Sequence, residues 1–242
     1  MANKNHALVF AFDVDGCVLD SFRYFMDFLP KIFEKFDLEV DQELVGELQE
    51  EITNLLAGKT SKILIIKLIN HAAKRMGLGL VKRIKFIIYL KKLYKQNILD
   101  VGLIPGTMEI FKDLKSRGHY VTLFTSGSRK DFNLKFQNKQ DLFEFVDAYV
   151  VRDEVKKMKP DPEGLYLLFN KIGIDSNKPR VVMIGDMTHD MEVVKDLKQA
   201  LSIGVLSGVN NKEELEDAGA DFGFESINDL IDNIGAIESY FE

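Results

Sequence analysis

Apolar and polar positions change rhythm twice along the chain. Leu8-Val9-Phe10-Ala11-Phe12 is an unbroken apolar run that stops at carboxylates, which predicts a buried central strand with functional groups at its C-terminal end. From about residue 22 to 97 apolar positions recur at helical spacing instead: Phe22, Phe25, Met26 and Leu29, then Ile32, Phe33 and Phe36, and later Ile63, Ile66, Leu68 and Ile69, then Ile84, Ile87, Ile88 and Leu90. Pro30 and the Gly77-Leu78-Gly79 turn punctuate that stretch, which reads as roughly four helices and no strand. After Ile104-Pro105-Gly106 strands and helices alternate. Helices are predicted at about 107–117, 129–138, 163–172 and 190–198, strands at 119–124, 148–151, 180–184 and 201–205, and short helical stretches at about 212–218 and 227–234. Such alternation means a parallel sheet covered on both faces. The fold class is therefore α/β: a core of residues 1–16 and 103–242, split by an all-helical insert at 17–102.

Composition narrows the class. Over 242 residues, 46% are hydrophobic and 29% charged, a globular balance with enough chain to bury a core unaided. The single cysteine, Cys17, excludes an intramolecular disulfide and any multi-thiolate zinc site. Lys67 interrupts the aliphatic run 63–69, well short of a membrane span, and Asp13 and Asp15 disqualify the N-terminal run as a signal peptide. These features point to a cytoplasmic protein without stable membrane insertion. A net charge of −6 argues against general nucleic-acid binding. The distribution is uneven, however. Residues 34–51 carry eight acids against Lys35 alone, whereas residues 52–95 carry eleven Lys or Arg and no acid. Such a block creates a local positive field. We expect it to steer an anionic substrate, with Lys59 or Lys62, just after Gly58, touching the end of the substrate remote from the reacting group.

Four short motifs fall at or after four successive core strands. They are Asp13-Val14-Asp15-Gly16, continuing to Asp20-Ser21; Thr125-Ser126-Gly127; Lys159-Pro160-Asp161-Pro162; and Gly185-Asp186, with Asp190 four residues on. Ligands of open parallel sheets sit beyond the carboxyl ends of the strands, so these groups should converge on one crevice. Two lookalikes fail. Gly58-Lys59-Thr60 lacks the first glycine of a phosphate-binding P-loop, Thr53 standing there, and Gly77-Leu78-Gly79 lacks the third glycine of a dinucleotide fingerprint.

The ordered set resembles the haloacid dehalogenase-like (HAD) superfamily, in particular its phosphoglycolate phosphatase and β-phosphoglucomutase-like branch, with a Rossmann-like core and a helical C1-type cap. The resemblance covers nearly the whole chain. It implies a Mg²⁺-dependent phosphatase acting on a small phosphorylated metabolite through an aspartyl-phosphate. Asp13 is then the nucleophile and Asp15 the general acid and base. Thr125, Ser126 and Lys159 bind the phosphoryl group, and Asp13, Asp15 (through its backbone carbonyl), Asp186 and Asp190 form the metal site. Hinges at about 17–21 and 99–104 would let the cap close. A phosphomutase on the same scaffold, or a non-catalytic scaffold that binds anionic surfaces, is the alternative. Two departures stand out: Met187 occupies the position of a small hydroxyl residue, which Thr188 or His189 would replace, and Cys17 stands where threonine or valine is usual, a small packing residue beside the loop.

Overall fold

The computed structural model describes residues 7–38, 62–176 and 179–242. Its elements run β1 (Val9–Phe12), α1 (Ser21–Met26), α2 (Leu29–Phe36), α3 (Lys62–Arg75), α4 (Leu80–Asn97), α5 (Thr107–Ser116), β2 (Tyr120–Phe124), α6 (Arg129–Lys135), β3 (Ala148–Val150), α7 (Glu163–Ile172), β4 (Val181–Gly185), α8 (Thr188–Glu192), β5 (Ala200–Val205), α9 (Lys212–Asp217), β6 (Phe222–Phe224) and α10 (Leu230–Tyr240). The chain divides into two compact units, one of residues 1–23 with 101–242 and one of residues 24–100.

The first unit is built on six strands in the order β3-β2-β1-β4-β5-β6, every neighbouring pair parallel. β1 is central and buried on both faces. Val9 and Ala11 join a core with Leu165, Leu168 and Phe169 of α7, while Phe12 on the other face packs its ring 4.9 Å from that of Phe111 in α5. Burial on both sides explains why the strands read as continuous apolar runs. The N–H of Asp13 donates to the Ile184 carbonyl at 2.8 Å, which carries the β1–β4 ladder up to the first carboxylate.

Four elements differ most from the sequence reading; one is α10, which spans Leu230–Tyr240 rather than about 227–234, the residues just before it forming a short 3-10 turn. β6 has the sequence Phe-Gly-Phe, too short and exposed to register as a periodic run, and it pairs only at the sheet's edge. α8 opens at Thr188 and ends at Glu192 rather than spanning 190–198, because the Asp190 carboxylate accepts the Met187 N–H at 3.1 Å and starts the helix early. α6 ends at Lys135, three residues before its expected end.

The second unit is helical in all its described elements. Pro30 lies in the first turn of α2, where its missing N–H is harmless. Asp37 ends that helix in the left-handed region at φ 54°. Ile32, Phe36, Ala73, Leu78 and Phe86 form the unit's core, with Phe36 edge-on to Phe86 at 5.0 Å.

Candidate active site

The loops that follow β1, β2, β4 and β5 leave the same end of the sheet, because all the strands are parallel. Asp13 ends the first, and Asp186 and Asp190 follow β4. Each of these three carboxylates offers an oxygen within 4.8 Å of the others. All are buried: Asp13 is 7% exposed, Asp186 1% and Asp190 0%. Lys159 reaches in from the segment before α7, its Nζ 2.5 Å from Asp13 Oδ1 and 2.6 Å from Asp190 Oδ1, and 4.8 Å from the Phe124 ring centre.

Charge is unbalanced here. Three carboxylates face one ammonium in a place where an uncompensated charge is strongly disfavoured. Burial pushes the Asp13 carboxyl up to about 7; Lys159 opposes this, and Asp190 adds to it. Asp186 is likewise driven well above the usual carboxylate range by burial and by Asp13 and Asp190. Its Oδ1 is one of the few buried polar atoms without a hydrogen-bond partner among the described residues. An all-oxygen donor set, excess negative charge and an orphaned carboxylate oxygen fit a hard divalent cation such as Mg²⁺.

Glycine is required where the carboxylates crowd the backbone. A Cβ on Gly208, in the loop after β5, would fall inside the Asp186 carboxylate, and one on Gly185 would meet Asp190. Gly16, at φ +80°, faces both Asp186 and Gly208. The same loop supplies hydrogen bonds: Val209 N–H donates to Asp186 Oδ2 at 2.9 Å and Ser207 Oγ to the Gly16 carbonyl at 2.6 Å. Asn210 Oδ1 accepts the Thr188 N–H at 3.2 Å.

Asp15 stands apart from that cluster. Its carboxylate accepts from Lys135 Nζ at 2.5 and 2.6 Å and from Ser21 Oγ. Burial acts to raise its pKa, but the Lys135 ammonium and the hydrogen bonds from Lys135 and Ser21 outweigh it and hold the carboxyl below its usual range. Thr125 is buried at the end of β2 and its Oγ1 accepts the Gly127 N–H at 2.9 Å, closing a tight turn before Ser128 caps α6; Ser126 within that turn is half-buried.

Of the residues singled out from the sequence, Asp13, Lys159, Asp186 and Asp190 therefore meet directly, and Thr125 and Ser126 lie at the same sheet end. Lys59 falls outside the described residues, as does the side chain of Lys62. His189 is buried beside the cluster, with Nε2 3.8 Å from Asp190 Oδ1, and burial depresses its pKa. Cys17 is buried with Sγ 3.6 Å from the Ile184 carbonyl, and burial pushes its thiol up, as befits a packing residue. Sequence reasoning missed Lys135 and the loop 207–210. The first could have been found as the charged member of the i, i+3, i+4 set Phe132, Lys135 and Phe136, and the second as a glycine closely following an apolar strand.

A surface groove of about 370 Å³ lies elsewhere, lined in part by Arg129, Tyr149, Glu154 and Lys171. Its cations are engaged with Glu154, both at 2.7 Å.

A parallel α/β sheet with a carboxylate cluster, a buried lysine and a hydroxyl-bearing turn at its carboxyl end defines a class of hydrolases rather than one protein. The chain matches the haloacid dehalogenase-like hydrolase family over residues 10–200, and it belongs to that family. A phosphorylated carbohydrates phosphatase of Thermotoga maritima is 24% identical over 217 residues, covering 86% of this chain and 90% of that protein. The pyrophosphatase PpaX of Listeria welshimeri is 32% identical over 90 residues, a match spanning 37% of this chain and 40% of the relative. Among solved structures, a predicted phosphoglycolate phosphatase from Haemophilus somnus superposes with a TM-score of 0.71 at 18% identity, covering 95% of this chain and 98% of that one. A hydrolase from Pseudomonas syringae gives 0.62 at 22%, covering 95% and 99%.

Proposed function

We propose that this protein is a Mg²⁺-dependent phosphatase that hydrolyses a small phosphorylated metabolite by way of an aspartyl-phosphate on Asp13. The observation that carries this reading is the buried cluster of Asp13, Asp186 and Asp190 around Lys159: a carboxylate can approach an anionic phosphate ester only where cations offset both charges. One curated relative named a phosphatase and another named a pyrophosphatase support the reaction class.

In this reading Asp13 Oδ attacks phosphorus and the ester oxygen leaves, taking the proton from the protonated form of Asp15. Asp15 then accepts a proton from the water that cleaves the acyl-phosphate bond, which restores Asp13 and releases inorganic phosphate. Lys159 and the turn at Thr125 and Ser126 hold the phosphoryl oxygens, and Lys159 offsets their charge. Asp13, Asp186 and Asp190, with the Asp15 carbonyl, would hold Mg²⁺, which supplies charge neutralisation at the phosphoryl group when bound. The helical unit of residues 24–100 is the cap that selects the substrate, and the field of its basic half draws anions in. A lone, buried cysteine suits a reducing, cytoplasmic setting.

The test is a panel of phosphate monoesters assayed with and without Mg²⁺, including phosphoglycolate, sugar phosphates, nucleoside monophosphates and p-nitrophenyl phosphate. Phosphate release that requires the metal and disappears in Asp13→Asn supports the reading. Absence of release from every ester refutes it, and a strict need for a sugar bisphosphate activator replaces it with a phosphomutase.

A further inference from the structure

α6 leaves the Thr125 turn and ends at Lys135, a lysine only 9% exposed at its side chain. Lysines are almost never buried this far unless paired. Phe132 and Phe136, their tilted rings 4.7 Å apart, are buried on the same face and fix the end of the helix. The Lys135 ammonium forks onto both oxygens of Asp15, at 2.5 and 2.6 Å, while Ser21 Oγ donates to Oδ1. Asp15 itself keeps 38% of its side chain exposed. A pair that served the fold alone makes poor sense in this arrangement. The lysine bears most of a buried charge's cost of desolvation, while the carboxylate, 38% exposed, is partly screened by water and returns less than a buried partner would. Orientation is a better account. An ionised carboxylate has about four acceptor directions. Lys135 occupies one on each oxygen and Ser21 a second on Oδ1, which leaves the open direction on Oδ2.

We propose that Lys135 is a positioning residue for Asp15, holding its carboxylate so that Oδ2 is the oxygen that exchanges a proton with the leaving group and with water. This rests on the phosphatase reading above. Lys135 touches no reacting atom in it and acts on the reaction through Asp15.

The test uses the full chain with Mg²⁺ and compares kcat/KM for two esters, p-nitrophenyl phosphate, whose leaving group departs without a proton, and the alkyl phosphate that the wild type hydrolyses fastest. Lys135→Met is expected to lower kcat/KM for the alkyl ester by ~30- to 100-fold, the scale of a misplaced proton-transfer group, and for the aryl ester by less than about threefold. Lys135→Arg, which keeps a forked cation, should recover at least about a third of the alkyl activity. Adding Lys135→Met to Asp15→Asn should cost nothing further, because the group it positions is already gone. Equal losses on both esters, no loss on either, no recovery in Lys135→Arg, or an additive loss in the double variant each overturn the proposal. Thermal melts identify a variant that fails to fold, and Lys135→Gln, smaller and neutral, then takes the place of Lys135→Met with the same expected pattern. A wild type inactive on both esters overturns the phosphatase reading and this proposal with it. That result is distinct from the proposal's own failure, in which the wild type turns over and the variants match it.

Discussion

Replacing Asp13 by asparagine should abolish turnover while leaving the fold as stable as before, or more so. The isosteric amide removes the proposed nucleophile and one of three buried carboxylates. A carboxyl whose pKa rises from 3.8 to about 7 on folding has its ionised form disfavoured by roughly 4 kcal/mol relative to the unfolded chain. The sign follows from proton counting. Between pH 4 and 7 the native state keeps a proton that the unfolded state releases, so metal-free wild type loses stability as pH rises through that window and levels off above it. The amide of the variant does not titrate and escapes this loss. The lost ion pair with Lys159 works the other way, although Lys159 keeps its bond to Asp190. The net expectation is a melting midpoint for Asp13→Asn that equals the wild type near pH 4 and exceeds it by several degrees at pH 8 in chelator, at about 2 to 4 °C per kcal/mol for a chain of this size. Differential scanning calorimetry across pH measures this, and phosphate release measures the activity. Turnover above about a hundredth of wild type would refute the nucleophile, since losing a covalent step costs several kcal/mol. A variant that melts below wild type at pH 8 would refute the electrostatic account of the cluster.

The remaining expectations concern the same site. Asp15→Asn should slow both half-reactions or trap the aspartyl-phosphate, detectable as a covalent mass increase under rapid quench; unchanged rates would show that Asp15 only shapes its turn. Gly208→Ala should force Asp186 or its loop to move, breaking the Val209 hydrogen bond, and should weaken Mg²⁺ binding by calorimetry at least about tenfold, the loss of one charge-assisted bond; binding equal to wild type would show that the cradle yields freely. Mg²⁺ affinity should fall about tenfold per pH unit for each proton displaced as pH drops below about 7, because the raised carboxyls of Asp13 and Asp186 must be deprotonated to bind it; a flat profile from pH 5 to 8 would place the metal elsewhere.

Much of this protein is legible in its residues because the physics is local. Apolar runs that stop at carboxylates mark strands buried on both faces, and the change from that rhythm to a helical one marks the insert. Parallel strands send all their carboxyl ends one way, so Asp13, Lys159, Asp186 and Asp190 can be assigned to one crevice before any coordinate is known. Tertiary structure alone decided the rest. β6 is three residues whose only reason to be a strand is the neighbouring edge of β5. Lys135 and Asp15 lie 120 residues apart, and nothing in the sequence around either names the other. Gly208 reads as an ordinary turn glycine until the Asp186 carboxylate is seen to occupy the space its side chain would need. The division follows from range: periodicity, turn chemistry and strand direction act over a few residues and survive in the sequence, whereas exclusion of a Cβ and the pairing of a buried charge depend on which distant segment the fold brings alongside.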